Sequence, residues 1–182
     1  MISDAVKIKI MPLDRAHLDF WYLLHNDPEN MRHQPIIQTS REQLELQLRN
    51  LREYDLGDHD QTSYKWAVIE IDSDQPAGIV SFYRMQEDHA IGRIGYTFLP
   101  KFWNRGIASA AVKLAVEQIF TRGGIERLEA VCSIHNQASR RVLEKAGFGY
   151  EGIRRGYLRI RGERVDHFSF GLLKSDWLKN KH

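Results

Sequence analysis

Cys132 is the only cysteine in the 182 residues, so no internal disulfide can hold the chain together. It lies in an apolar run, where a buried, inert thiol is expected. Charge of one sign is also lacking. Lys and Arg number 26 against 24 Asp and Glu, a formal net charge of +2, which argues against a dedicated nucleic-acid binder. No apolar run approaches a membrane span. Met1-Ile2-Ser3-Asp4 lacks the basic segment and apolar stretch of a secretory signal, so a reducing cytoplasm is the expected setting. The eight histidines are scattered, none paired with a carboxylate at helical spacing, and no metal site is expected. Neither a G-x-G-x-x-G fingerprint nor a Gly-Lys-Ser/Thr phosphate loop is present, which excludes dinucleotide binding and magnesium-dependent triphosphate chemistry of those kinds. Internal repeats and low-complexity tracts are missing too.

What remains is a chain with 42% apolar residues, enough for one well-packed domain over residues 1–182. Residues 6–10 alternate as a half-buried strand does, and Pro12 closes it. Asp14 is placed to cap a helix running to about Asn26 on a stripe of Leu18, Trp21, Tyr22, Leu24 and His25. Ser40 and Gln43 have capping-box spacing ahead of a helix carrying Leu44, Leu48 and Leu51. Residues 55–60 read as a polar loop. Strands are expected over 64–71, 77–84 and 91–99, and the short turns between them make an antiparallel meander. A helix over 108–120 is stopped by Gly123-Gly124. A strand over 125–133 and a helix over 136–146 follow, with Gly147 suited to the left-handed residue after the helix. Residues 148–158 and 165–173 close the chain as a hairpin around Gly162. The order β-α-α-β-β-β-α-β-α-β-β describes a mixed α/β (α+β) sheet with helices on both sides.

Trp103-Asn104-Arg105-Gly106-Ile107-Ala108-Ser109 stands between a strand and a long helix. Amides in a first helical turn lack intrahelical partners, and the helix dipole favours negative charge there. Gly106 permits close approach of the main chain, Ala108 leaves room, and Arg105 adds a cation. The ligand that suits this turn is a diphosphate; the alternative is small residues placed for packing alone. A second element, Asn136-Gln137-Ala138-Ser139-Arg140-Arg141-Val142-Leu143-Glu144-Lys145-Ala146-Gly147-Phe148, follows the next strand.

Together these two elements resemble the GNAT superfamily of acetyl-CoA-dependent N-acetyltransferases. That family has a Q/R-x-x-G-x-G/A loop after its fourth strand and an Asn-led helix ending in Gly-Phe after its fifth. Gly106 and Ala108 match the first pattern; Asn136, Gly147 and Phe148 match the second. Tyr150-Glu151-Gly152 and the closing 161–167 segment are similar to the RimJ/RimL branch, which acetylates ribosomal proteins. The resemblance is specific over 91–173.

The resemblance implies a GNAT fold in which the fourth strand bulges and splays from the fifth. Backbone groups near Thr97, Phe98 and Leu99 then hold the pantetheine arm of acetyl-CoA. Asn104, Arg105, Gly106, Ile107, Ala108 and Ser109 hold its diphosphate. Asn136 contacts the arm, caps the helix, or does both. The tyrosine that serves many relatives as general acid is replaced by Leu143. Ser139 is the nearest hydroxyl and the candidate acid. A glutamate common before Ile-Gly-Tyr is here Arg93, leaving His135, Glu87, His89 and His167 as candidate bases. The acceptor is expected at residues 33–39 and 157–166, with Tyr157 and Asp166 as contacts. A ribosomal-protein N-terminus, polyamine, aminoglycoside or amino sugar is the implied class of acceptor, and the chain a monomer or homodimer. Arg154, Arg155, Arg159, Arg161 and Arg164 form either a solvated hairpin face or a lip for an acidic substrate or for the adenosine phosphate. The other readings are a catalytically silent acyl-CoA-binding or regulatory module, suggested by Leu143 and Arg93, and a ribosome- or RNA-associated protein using that hairpin.

Overall fold

The computed structural model describes residues 1–3, 6–35, 38–50, 56 and 62–180. Leu51 of the second helical stripe and all but Leu56 of the 55–60 segment lie outside the described residues. Eight strands form one sheet: β1 (Ile2–Ser3), β2 (Ile8–Pro12), β3 (Ser63–Glu70), β4 (Gln75–Arg84), β5 (Ile91–Phe98), β6 (Arg127–Ser133), β7 (Gly149–Ile160) and β8 (Glu163–Leu173). Their spatial order is β1-β2-β3-β4-β5-β6-β8-β7. Every pairing is antiparallel except β5 with β6. Trp66 to Ile69 and Ala77 to Val80 are buried in unbroken succession. Side chains alternate between faces along a strand, so both faces of the sheet are covered.

The helices are α1 (Leu18–Asn26), α2 (Arg41–Asn50), α3 (Ile107–Arg122), α4 (Gln137–Lys145) and α5 (Lys174–Lys179). In α3 the stripe of Ile107, Ala111, Leu114, Ala115 and Ile119 is buried, and Val112, Val116 and Phe120 join it. This helix is packed on more than one side. The α2 capping box forms as its spacing predicts: Gln43 N–H donates to Ser40 Oγ at 3.2 Å, and Ser40 N–H to Gln43 Oε1 at 2.9 Å. Asp14 caps a different element from the one expected. It accepts from Ala16 N–H at 2.9 Å and starts a 3-10 turn over Arg15–His17, so α1 begins only at Leu18. Within α1, Leu18, Trp21 and Leu24 are buried while Tyr22 is exposed, because it falls a third of a turn off the buried stripe.

One junction positions the site. β5 pairs with β6 only from Ile91–Arg127 to Arg93–Glu129. Beyond those residues β5 continues to Phe98 and β6 to Ser133 with no pairing between them. The bulge expected in the 91–99 strand is not what opens them, since the β4–β5 register is unbroken from Gly92 to Phe98. β6 keeps its full ladder with β8, from Arg127 to Ser133, and diverges from β5 with that partner. Arg93 closes the apex of the V, with its guanidinium 3.7 Å from Glu129, which Arg127 and Arg154 also approach at 3.3 Å.

Candidate active site

The opening between β5 and β6 is a cavity of about 550 Å³. Its walls are the end of β5, the turn into α3, one face of α4 and the turn after α1. In an antiparallel ladder, alternate residues turn both backbone polar groups to the same neighbour. Leu99 N–H donates to Ala77 C=O at 3.0 Å, and Ile91 C=O accepts from Met85 N–H at 2.9 Å. Odd-numbered residues of β5 therefore face β4, and Tyr96 and Phe98 face the cleft. Two carbonyls on that side are engaged: Trp103 Nε1–H donates to Phe98 C=O at 2.7 Å, and Gln34 Nε2–H to Tyr96 C=O at 3.4 Å. The Phe98 N–H is left as a donor on the cleft edge. The Leu99 amide, expected to serve the cofactor arm, is spent on β4. The absence of a side chain at Gly78 seats Phe98, because a Cβ there would lie 2.2 Å from the Phe98 ring.

Around the turn, Asn104 and Gly106 both have left-handed backbone, φ 59° and 76°. Such residues beside right-handed ones make a concavity of amides that favours anions. Gly106 is the N-cap of α3 and offers no side-chain cap, so the first-turn amides of Ile107, Ala108 and Ser109 keep their donors. Arg105 does not point into the cavity. Its guanidinium pairs with Glu70 on β3 and lies over the Phe102 ring, 5.6 Å from the centroid. Two other cations, Arg141 and Lys145, line the same end. They share a face of α4 with Ala138 and Val142, at the three- and four-residue spacings of one helical face. That spacing was readable in the sequence; its direction was not.

Asn136 N-caps α4, its Oδ1 accepting from Ser139 N–H at 3.0 Å. Ser139 Oγ sits 2.8 Å from the Tyr96 hydroxyl, which also donates to Ser139 C=O at 3.0 Å. Burial raises the Tyr96 phenol above its ordinary range, with the Ser139 hydrogen bond opposing. The phenol therefore keeps its proton at neutral pH. Burial also pushes the neighbouring Cys132 thiol up to about 11, against a hydrogen bond from Ser139, so it stays a thiol. Leu143, where many relatives carry tyrosine, is wholly buried.

The four candidate bases fare differently. The pairing Arg84–Gly92 lies at the opposite end of β4–β5 from Gly78–Phe98, about 20 Å away along the strands. Glu87 and His89 belong to that far turn. His167 is buried, with Nδ1 2.9 Å from Val165 C=O. His135 is exposed and outside the cavity lining. The histidine that does line the cavity is His33. Burial, followed by the charges of Arg32, His135 and Arg161, lowers its pKa, with Glu29 opposing. Tyr157 and Asp166, expected at the acceptor, do not line the cavity. Tyr157 packs on His167, and the Asp166 carboxylate accepts from Gly156 N–H at 2.7 Å.

These features fit acetyl-CoA. The amide concavity, the uncapped helix start and two cations suit a diphosphate. An unpaired strand edge with a free N–H suits an extended, amide-bearing arm.

Comparison with known proteins agrees. The sequence profile of the acetyltransferase (GNAT) domain matches residues 7–149. The chain is 31% identical over 110 residues to the uncharacterised N-acetyltransferase YoaA of Bacillus subtilis, covering 60% of this chain and 62% of that relative. Among solved structures, the fold is similar to spermidine N-acetyltransferase from Vibrio cholerae in complex with CoA and spermine. That likeness has a TM-score of 0.82 at 20% identity, over 94% of this chain and 98% of the other. It is also similar to ribosomal-protein-S5-alanine acetyltransferase from Vibrio fischeri, with a TM-score of 0.81 at 22% identity over 94% and 95%. With the domain profile covering most of its length and the cleft built as that fold requires, the chain belongs to the GNAT family of acetyl-CoA-dependent N-acetyltransferases.

Proposed function

We propose that this chain moves an acetyl group from acetyl-CoA directly to a primary amine while both are held in the cleft. The observation that carries the reading is the parting of β5 from β6 beyond Arg93 and Glu129. It leaves a strand edge, an uncapped helix start and a hydroxyl pair around one cavity. Bound acetyl-CoA supplies the thioester carbonyl that the amine attacks. The chain supplies three things. The amides of residues 104–109, with Arg141 and Lys145, hold the diphosphate. The Phe98 N–H is the donor available to an oxyanion in the cleft. Ser139, its hydroxyl steered by Tyr96, is assigned as the acid that protonates the leaving sulfur.

His33 is assigned to take the proton of the incoming ammonium. Its lowered pKa keeps the ring neutral at pH 7 and able to accept. The acceptor is of the broad class handled by proteins of this fold, a polyamine, a protein N-terminus or a small amine. The test is calorimetry with acetyl-CoA together with CoA release over an amine panel. Micromolar binding with turnover of at least one amine is expected. Binding without turnover of any amine would favour the silent acyl-CoA-binding module instead.

A further inference from the structure

Among the described residues, the end of the cleft remote from the diphosphate turn holds no carboxylate that is not already paired, and the geometry points to an acceptor whose primary amine is borne on an anionic molecule rather than on a polycation. This inference rests on the acetyl-transfer reading. α4 fixes the direction of the cavity: Lys145 at its C-terminal end lies beside Gly106 and Ser109, around a second cavity that shares all three. Asn136, at the other end of this nine-residue helix, is about 13 Å away. That N-terminal end is the entry left for the acceptor. There His33 and Arg32 line the cavity, and the guanidinium charges of Arg32 and Arg161 bear on the His33 ring.

Glu29 is the only carboxylate among the described residues that line the cavity, and Arg32 already binds it at 2.7 Å. Arg161 is exposed at the β7–β8 tip and makes no ion pair among the described residues. A polyamine carries several ammonium groups, and each needs a carboxylate or carbonyl to replace its water. This mouth offers no spare carboxylate, and with Arg32 and Glu29 paired the charge in excess is that of Arg161. It repels polycations and draws in molecules whose carboxylates or phosphates lie a few atoms from the reacting amine.

The experiment measures kcat/KM at saturating acetyl-CoA for three matched peptides with free N-termini, bearing aspartates, serines or lysines at positions two to four. Spermidine, glucosamine and glucosamine 6-phosphate complete the panel and separate peptide from small-molecule sources of the anion. We expect the acidic peptide or the sugar phosphate to exceed its basic or neutral counterpart by about tenfold at low salt. The margin should shrink in 0.5 M NaCl as the field is screened. Arg161→Asn keeps a residue tolerant of the left-handed backbone there. It should lower the acidic-to-neutral ratio two- to fivefold, through KM. Spermidine or the lysine peptide as the best acceptor would overturn the inference and leave acetyl transfer intact. Acetyl-CoA binding with no turnover of any acceptor would overturn acetyl transfer itself, and this inference with it.

Discussion

Single side chains at the cleft carry separable tasks. Gly106 holds φ 76°, and a Cβ there would meet only Val6 Cγ2, at an ordinary 3.8 Å. Gly106→Val therefore has room but the wrong backbone preference, which costs about 1–3 kcal/mol of stability. It also sets a branched side chain against the bound diphosphate. Calorimetry should show CoA affinity falling more than tenfold in a folded variant; unchanged affinity would remove the turn from the binding site. If Ser139 is the acid, Ser139→Ala lowers kcat by about 10²–10⁴ with little change in the KM for acetyl-CoA. Tyr96→Phe should lower kcat less, and the double variant should fall short of the product of the two, as groups in contact do. A raised KM with kcat intact in Ser139→Ala would make it a cofactor contact. Restoring a tyrosine at position 143 is ruled out by packing, since Leu143 has no exposed surface to give up. The hydroxyl on α4 was legible from its spacing to Asn136. Its partner was not, because Tyr96 lies 43 residues away in the chain. Arg105 shows the same limit: its place beside the turn suggested a phosphate contact, and only the fold reveals Glu70 as its partner.

Among the elements, α4 bears the hydroxyl and two cations of the site and was the most readable, because its cap, apolar face and terminal glycine all agree. Gly147, expected to be left-handed, has φ 94°. Asn136→Ala removes the cap and should cost about 0.5–2 kcal/mol in denaturant unfolding. If CoA affinity falls by more than that loss explains, the side chain also touches the cofactor; if only stability falls, it is a cap and nothing else. Paired replacement of Arg141 and Lys145 by alanine should weaken CoA about tenfold or more, and pantetheine, which has no phosphate, hardly at all. Equal loss for both ligands would remove these cations from the phosphate site. The elements missed by pattern are those with little pattern to give. β1 is two residues long, and α5 rests on Trp177 against Phe120, with ring centroids 5.5 Å apart. The start of α1 was misplaced because a capping residue signals a turn without saying whether a 3-10 or an α-helix follows.

At the scale of the whole molecule, two histidines tie stability to pH. Burial, then the charge of Lys65, lowers the pKa of His25, whose buried Nδ1 has no hydrogen-bond partner among the described residues; burial, then Arg32, lowers that of His33. The unfolded chain binds protons on both from about pH 6.5, while the folded chain resists. Their contribution is therefore complete above pH 6.5 and is lost as pH falls through the folded values. Glu42 and Glu151, whose pKa values are lowered by hydrogen bonds, keep their contribution across this range and lose it only as pH falls below the ordinary carboxylate range. Denaturant midpoints should drop between pH 7.5 and 5.5, and His25→Gln should flatten that drop; an unchanged slope would acquit His25. The narrow join between β5 and β6 has one more consequence. The sheet is two ladders, β1 to β5 and β6 to β8 with β7, stitched along three register positions, and Gly123-Gly124 crosses between them at the end of α3. Chain connectivity there does little that packing does not. Cut at that glycine pair, the two pieces should find each other when co-expressed and restore acetyl transfer, at a rate that rises with the concentration of the scarcer fragment.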